Sequence, residues 1–231
     1  MGYWVDMNDP YVTYHSKYME SVWWLLKQLW DKDLIYKGYT IQPYSPKAGT
    51  GLSSHELNMP GSYRDVKDTS MIAQFPLIRD DRAREVFGDL VHDDTPVYLL
   101  AWTTTPWTLP SNTALTVGKK IEYVLVESFN RYTHERQRVL LAKPLVSKYF
   151  SEDLENTDFD SYASDGKKIP WKQVWSGTGA DLLELRYEQL LPYTLPYQNP
   201  QDAFRVIAGD FVTTEDGTGI VHTAPTFGAD D

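Results

Sequence analysis

The chain has 231 residues, 42% hydrophobic and 14% aromatic, with a formal net charge of −10. That length and apolar content support one large domain or two small ones, and the absence of cysteine excludes disulfides, a thiolate nucleophile and a thiolate metal site. The acidity argues against a surface laid along duplex phosphates, which Lys and Arg must neutralise, but leaves open a grip on a single-stranded end.

Asp9-Pro10 reads as a helix start, with Asp accepting backbone N–H groups and Pro at the first helical position. Beyond Tyr14, the positions of Met19, Val22, Trp23, Leu26, Leu29 and Trp30 recur as one helix face. Trp24 and Leu25 widen that face until it wants cover on two sides, from the rest of the chain or from a missing neighbour. Residues 34–42 read as a β-like run, after which Pro43, Pro46, Gly49, Gly51 and Pro60 mark a long irregular connection. Residues 71–78 form a strand candidate broken at Pro76, and 80–87 one or two turns of exposed helix. The apolar run Val97-Tyr98-Leu99-Leu100-Ala101 opens a buried strand over 97–105. Residues 121–126 and 138–141 read as strands around a hairpin at Arg131, and 144–150 as a short helix. The acidic stretch 151–168 has no periodicity and reads as a loop or insertion. Residues 171–175, 182–187 and 204–207 continue the strand series, and 211–223 read as a hairpin turning at Asp216-Gly217. Many short strands and few helices predict an α+β fold, a β-barrel decorated with peripheral α-helices. The expected organisation is a single domain over 1–231, with a helical and irregular arm at 1–60 and the barrel core at 61–231.

Several chemistries are missing. There is no G-x-S-x-G elbow and no Walker loop, and the Gly177-Thr178-Gly179 and Gly217-Thr218-Gly219 pairs lack the third glycine of a dinucleotide fingerprint. The five histidines show no ligand spacing, so no metal site is expected. No apolar run is long enough to span a bilayer and no secretory leader is evident, so the expectation is a soluble, cytoplasmic chain without a membrane partner.

What stands out is Trp102-Thr103-Thr104-Thr105-Pro106-Trp107-Thr108-Leu109-Pro110-Ser111-Asn112, uncharged, rich in hydroxyls and stopped twice by proline. A strand ending in hydroxyls before a rigid turn can build a small polar pocket, although threonine is also a good strand former and proline a strand stop. His222 sits within an apolar and threonine strand, either as a satisfied core residue or as a site residue. Asp230 and Asp231 are adjacent carboxylates that repel unless a cation or amine comes to one of them. Arg131, Arg136 and Arg138 form either a local basic patch or a solvated hairpin tip.

Taken together these stretches resemble the editing (CP1) domain of isoleucyl-tRNA synthetase. Residues 101–115 resemble its threonine-rich motif, and Gly217-Thr218-Gly219-Ile220-Val221-His222-Thr223-Ala224-Pro225 followed by Phe227-Gly228-Ala229-Asp230-Asp231 its second motif. Met19-Glu20-Ser21-Val22-Trp23-Trp24, and Leu185-Arg186-Tyr187-Glu188 running into Leu191-Pro192-Tyr193, extend the similarity over nearly the whole chain. Thr105-Pro106-Trp107 stands where the valyl and leucyl branches carry Arg-Pro. The chain departs from the pattern at Ser45-Pro46-Lys47-Ala48, where many relatives have a zinc-binding C-P-x-C, and it lacks the ATP-site signatures. It therefore reads as an excised insertion domain with a cloning start at Met1-Gly2.

The resemblance implies a deacylase that hydrolyses Val-tRNA(Ile) and Val-AMP by orienting a water in a size-limited pocket. Asp231 would hold the valyl ammonium, and His222 with Trp107 would wall the side-chain pocket. Thr103, Thr104 and Thr105 would supply hydroxyls to the water, the carbonyl or the terminal adenosine, with Thr108 and Asn112 holding the ribose or adjoining groups. No cofactor is implied for editing, while the parent would use ATP and Mg. The implied partners are the CCA end of tRNA(Ile), the valyl group and the parent's catalytic Rossmann domain, with the chain itself a monomer. The alternatives are a module that binds the CCA end without hydrolysis, or a valyl-branch domain acting on Thr-tRNA(Val).

Overall fold

The computed structural model describes residues 4, 6–160, 162, 168–225, 227–228 and 230–231. The Met1-Gly2 start and much of the acidic stretch, residues 161 and 163–167, lie outside the described residues. The chain divides into two compact units, Met1–Leu52 and Ser53–Asp231.

In the first unit, helix α1 (Ser16–Trp30) begins at His15 rather than at Asp9-Pro10. The first helical bonds run from the N–H groups of Tyr18 and Met19 to the His15 carbonyl, and Asp9 is left in a bend. The helix stops where Asp33 takes a left-handed φ of +55° and the Leu34 N–H returns to the Leu29 carbonyl at 3.1 Å. None of its residues is buried, so the wide apolar face seen in the sequence stands exposed. The expected run at 34–42 forms no strand; extended chain without a ladder partner has no sheet to join. Only a two-residue ladder follows, β1 (Tyr44–Ser45) against β2 (Thr50–Gly51). Its turn holds Ser45-Pro46-Lys47-Ala48 and is closed by N–H bonds from Gly49 to the Ser45 carbonyl and from Ala48 to Ser45 Oγ.

The second unit opens with α2 (Ser54–Leu57), which carries a complete capping box between Ser53 and Glu56. Strand β3 (Met71–Pro76) ends at its proline, as expected of a residue that cannot donate to a ladder. Helix α3 (Asp81–Phe87) is capped by Asp80, whose carboxylate accepts the Ala83 N–H at 2.9 Å. It buries Ala83 and Phe87, so it is one-sided rather than wholly exposed. There follow β4 (Val97–Thr103), a 3-10 turn (Pro106–Ser111), β5 (Ala114–Val117), β6 (Glu122–Phe129), β7 (Arg136–Ala142), α4 (Val146–Tyr149), β8 (Trp171–Thr178), β9 (Arg205–Ala208) and β10 (Ile220–Thr223).

These strands make a five-stranded sheet in the order β3-β4-β7-β6-β8 and a three-stranded sheet in the order β10-β5-β9. Along β6 and β7, Tyr123, Leu125, Leu140 and Ala142 enter one apolar cluster, and Val124, Val126, Val139 and Leu141 the other. The large sheet is therefore covered on both faces, and the first cluster also takes in Leu115, Val206 and Ile220 from the small sheet. The architecture is mixed α/β, but the expected barrel does not close among the described residues, because β4 and β10 join no common ladder. Two further sequence expectations fail. Residues 182–187 make only isolated bridges at Arg186 and Tyr187, interrupted by Glu184 at φ +67°. The hairpin expected at 211–223 is absent because Thr218 and Gly219 are claimed by other strands. Thr218 Oγ1 donates to the Leu100 carbonyl at 2.5 Å, and the Thr218 carbonyl accepts the Ala142 N–H at 2.8 Å. Gly219 has φ +75°, and a Cβ there would lie 2.3 Å from Ala142 Cβ, so the chain enters β10 by a path open only to glycine.

At the edge of the larger cluster a buried carboxylate, Glu127, collects three cations. Arg138 Nε bonds it at 2.6 Å, Lys172 Nζ lies at 3.2 Å, and Arg136 bonds the same group. Arg138, also buried, reaches both Asp93 oxygens at 2.7 Å. The sequence patch Arg131-Arg136-Arg138 is thus dismantled, since two of its members point at carboxylates. Burial pushes the Glu127 carboxyl up, but the bonds from Arg136, Arg138 and Lys172 outweigh it and hold the group below the usual carboxylate range. A depressed folded pKa gives stability that is present above the ordinary glutamate value of about 4.3 and is lost as pH falls through the lower folded value. Glu127→Gln leaves Arg138 buried with Asp93 as its one carboxylate partner among the described residues, beside the Leu90 carbonyl. We expect a loss of about 3 kcal/mol in urea unfolding at neutral pH, and a flatter loss of stability below pH ~4 than in the parent chain.

Candidate functional site

The site is assembled where β4 runs out into the 3-10 turn. Thr103 is the last residue of β4, buried, and its Oγ1 accepts the Thr105 N–H at 3.0 Å, with the two hydroxyl oxygens 3.3 Å apart. This folds the chain back on itself so that Pro106 can open the 3-10 turn with its fixed φ. Thr104 and Thr105 are exposed. The Thr105 carbonyl then accepts both the backbone N–H and the hydroxyl of Thr108, at 3.0 and 2.8 Å.

Thr108 Oγ1 also lies 2.9 Å from His222 Nε2, in a buried contact between residues 114 apart in sequence. A hydroxyl has one proton, and that of Thr108 goes to the Thr105 carbonyl. Thr108 must therefore accept from His222, which is fixed as the Nε2–H tautomer. Its Nδ1 becomes a bare acceptor, buried and without a partner among the described residues. The imidazole is delivered by β10, which pairs antiparallel with β5 and sets His222 opposite Leu115. One residue on, Thr223 Oγ1 and Thr116 Oγ1 meet at 2.7 Å within the same ladder.

Asp231 is exposed and acts on His222 electrostatically. Ala229, which belongs to the second motif, and Thr226 between its two parts lie outside the described residues. Trp107 sits on the turn one residue before Thr108, but the residue is 62% exposed rather than packed into the protein. Asn112 is buried, and both ends of its amide meet the protein itself: Nδ2 donates to the Ala114 carbonyl at 2.9 Å and Oδ1 accepts from the Tyr187 hydroxyl at 2.7 Å. Beside this pair a groove of about 250 Å³ is lined by Pro110, Asn112, Thr113, Gln189, Leu195 and Pro225. The structure thus joins Thr103, Thr105, Thr108 and His222 into one polar cluster and places Asp231 within its field. It turns Asn112 inward. Tyr187, Thr116 and Thr223 had no role in the sequence reading; Tyr187 lay in a recognised segment, yet nothing in the pattern marked its hydroxyl.

Chemically the cluster offers oriented hydroxyls, a neutral imidazole and a nearby carboxylate. No group of three or more potential metal ligands occurs among the described residues. Burial pushes the His222 pKa below its ordinary value, with the Asp231 charge pulling the other way. The neutral ring therefore gives stability that is present above the ordinary histidine pKa of about 6.5 and is lost as pH falls through the lower folded value. An NMR titration should place the His222 midpoint below that of an exposed histidine. In Asp231→Asn it should move lower still, and a midpoint that stayed or rose would separate the two groups.

The family of class I tRNA synthetases (I, L, M and V) matches residues 1–213. Isoleucine–tRNA ligase of Cytophaga hutchinsonii is 60% identical over 231 residues, covering 100% of this chain and 20% of that protein. The enzyme of the same name from Bacteroides thetaiotaomicron is 56% identical over 239 aligned positions, again covering 100% of this chain and 20% of that protein. The chain spans about a fifth of the length of these curated relatives. Among solved structures, the P. falciparum cytosolic leucyl-tRNA synthetase editing domain is similar at a TM-score of 0.50 and 10% identity, over 67% of this chain and 60% of that one. That likeness concerns the fold. The match over most of its length places this chain in the class I tRNA synthetase family.

Proposed function

We propose that this chain is the proofreading domain of an isoleucine–tRNA ligase, hydrolysing the ester of Val-tRNA(Ile) and the anhydride of Val-AMP. The arm is taken as residues 1–60 and the editing core as 61–231. The observation that carries the reading is the buried Thr108–His222 contact, which unites the two motifs across the chain. The problem to be solved is one of size. Isoleucyl synthetases are themselves the standard example: the methylene that distinguishes isoleucine from valine is worth only about 1–3 kcal/mol in a pocket, so a second, smaller site must remove the error.

Water attacks the ester carbonyl, its proton leaves, and the ribose oxygen departs to take one up, giving valine and a free 3′ end. The ester is already activated, so orientation of the water and stabilisation of the developing oxyanion are sufficient without a covalent intermediate. In this reading the hydroxyls of Thr103, Thr104 and Thr105 orient water and carbonyl, and Asp231 anchors the valyl ammonium. Thr108 fixes the His222 ring, which sets the size limit, and Trp107 closes over the side chain. This step draws on no cofactor. The CCA end of tRNA(Ile) and the ligase's catalytic domain are the proposed partners, and the cytoplasm the proposed compartment; no helix among the described residues is long and apolar enough to cross a membrane.

The test uses the 231-residue chain with mischarged tRNA in excess enzyme. Val-tRNA(Ile) should be deacylated, and Asp231→Ala should lower that rate by about 10²-fold or more with the fold intact. His222→Ala should admit Ile-tRNA(Ile) to hydrolysis. Binding of the CCA end with no deacylation would instead make the chain a binding module, and hydrolysis of Thr-tRNA(Val) alone would move it to the valyl branch.

A further inference from the structure

Behind the Thr108–His222 contact lies a buried polar link with no role so far. The Tyr187 ring is fully buried and stands edge-on to Phe75 and Phe204, with centroids 5.2 and 6.1 Å away. Its backbone is tied down as well, by a bridge to Leu77 beyond β3 and by an N–H bond to the Phe204 carbonyl at 3.1 Å. From this fixed point its hydroxyl donates to Asn112 Oδ1 at 2.7 Å. Burial holds that hydroxyl well above the ordinary phenol range, so it remains a donor.

Asn112 is the joint of the site. Its N–H bonds the Leu109 carbonyl at 3.0 Å and closes the 3-10 turn that carries Thr108. Its Nδ2 holds the Ala114 carbonyl at 2.9 Å, where β5 begins. The next residue, Thr113, donates to the Thr223 carbonyl at 3.0 Å and accepts the Phe204 N–H at 2.7 Å. Phe204 does this with φ +60°, a left-handed conformation that a bulky aromatic keeps only where its surroundings impose it. Strain and a buried bond thus converge on the two residues between the hydroxyl turn and the histidine strand.

We propose that Tyr187 and Asn112 are positioning residues of the editing pocket: their O–H···O bond sets the register in which Thr108 meets His222, and Asn112 acts without touching substrate. This rests on the proofreading reading above.

Tyr187→Phe removes one hydroxyl and keeps the ring packing. Four quantities are measured: the melting temperature, kcat and KM for Val-tRNA(Ile) deacylation, and the ¹⁵N shifts of the His222 imidazole, which report hydrogen bonding at Nε2. The expected result is a displaced Nε2 signal and a kcat lowered about tenfold or more, since small misplacements of reacting groups are costly, with KM within about twofold. Asn112→Ala, which also removes the bond to the Ala114 carbonyl, should lower kcat at least as far, and the double variant should be no worse than Asn112→Ala alone, as expected if Tyr187 acts only through Asn112. Unchanged His222 shifts and kcat in Tyr187→Phe overturn the proposal even if the melting temperature falls. So does an Asn112→Ala variant that raises KM alone, which would put Asn112 on the substrate. If the parent chain deacylates nothing, the proofreading reading fails, and the His222 shifts still decide the role of Tyr187.

Discussion

The ladder between β5 and β10 is the constraint on which the candidate site depends. It places His222 opposite Leu115 and so brings the second motif against the turn within the first. Strands of four residues are at the short end of the usual range. Their stability is borrowed from the larger sheet at the point where the chain enters β10. There Thr218 is held by the Leu100 carbonyl, and Gly219 accepts the Tyr123 hydroxyl at 2.6 Å. Tyr123 also receives the Gly118 N–H at 3.1 Å, which fixes the end of β5 that faces the start of β10. The end of the short ladder where Ile220 faces Val117 is thus clamped by groups rooted in the five-stranded sheet.

Two buried ionisable groups show how differently the chain treats charge. Glu127 is surrounded by Arg136, Arg138 and Lys172, and its charged form is favoured despite burial. His222 is given one partner and left with a bare Nδ1, so burial favours its neutral form. The first arrangement holds β6, β7 and the loop carrying Asp93 in one geometry. The second leaves an acceptor unsatisfied inside a folded protein, a state that native structures keep at few places. A stability account explains Glu127 well. It does not explain His222, whose Nδ1 is buried without a partner among the described residues; on the proposed reading the ring is kept for a ligand.

The parts of the fold legible in the sequence were those fixed by local pattern. The strands later seen as β3, β4, β6, β7 and β8 were marked by apolar runs and bounded by turn residues, and α3 by its Asp80 start. What the sequence hid was pairing. Asp216-Gly217 is a good hairpin signal, yet the strand after it pairs with β5, because Thr218 and Gly219 fit against β4 and β7 better than against their own neighbours. Residues 34–42 have strand composition and no sheet to join. The site was legible as two motifs, since Thr103, Thr105, Thr108 and His222 do converge. The inward turn of Asn112 was not, because an amide that faces Tyr187 and one that faces a ribose look the same in a string of letters.

The acidity noted at the outset acquires a structural meaning. On the proposed reading the chain handles the end of a polyanion with a net charge of −10, and many of its cations face carboxylates of its own. Arg136, Arg138 and Lys172 serve Glu127, Lys143 pairs with Glu122, and Arg205 with Glu184. Affinity through phosphate neutralisation needs cations free to displace counterions, and these are already engaged. Recognition by this chain must then rest on the short-range features of the aminoacyl end: an ammonium for Asp231, hydroxyl partners for an ester, and a side chain small enough to pass His222. On the proposed reading such contacts distinguish valine from isoleucine and contribute little to holding the tRNA. Selection and affinity are separate demands, and on the proposed reading these engaged cations contribute little to the second.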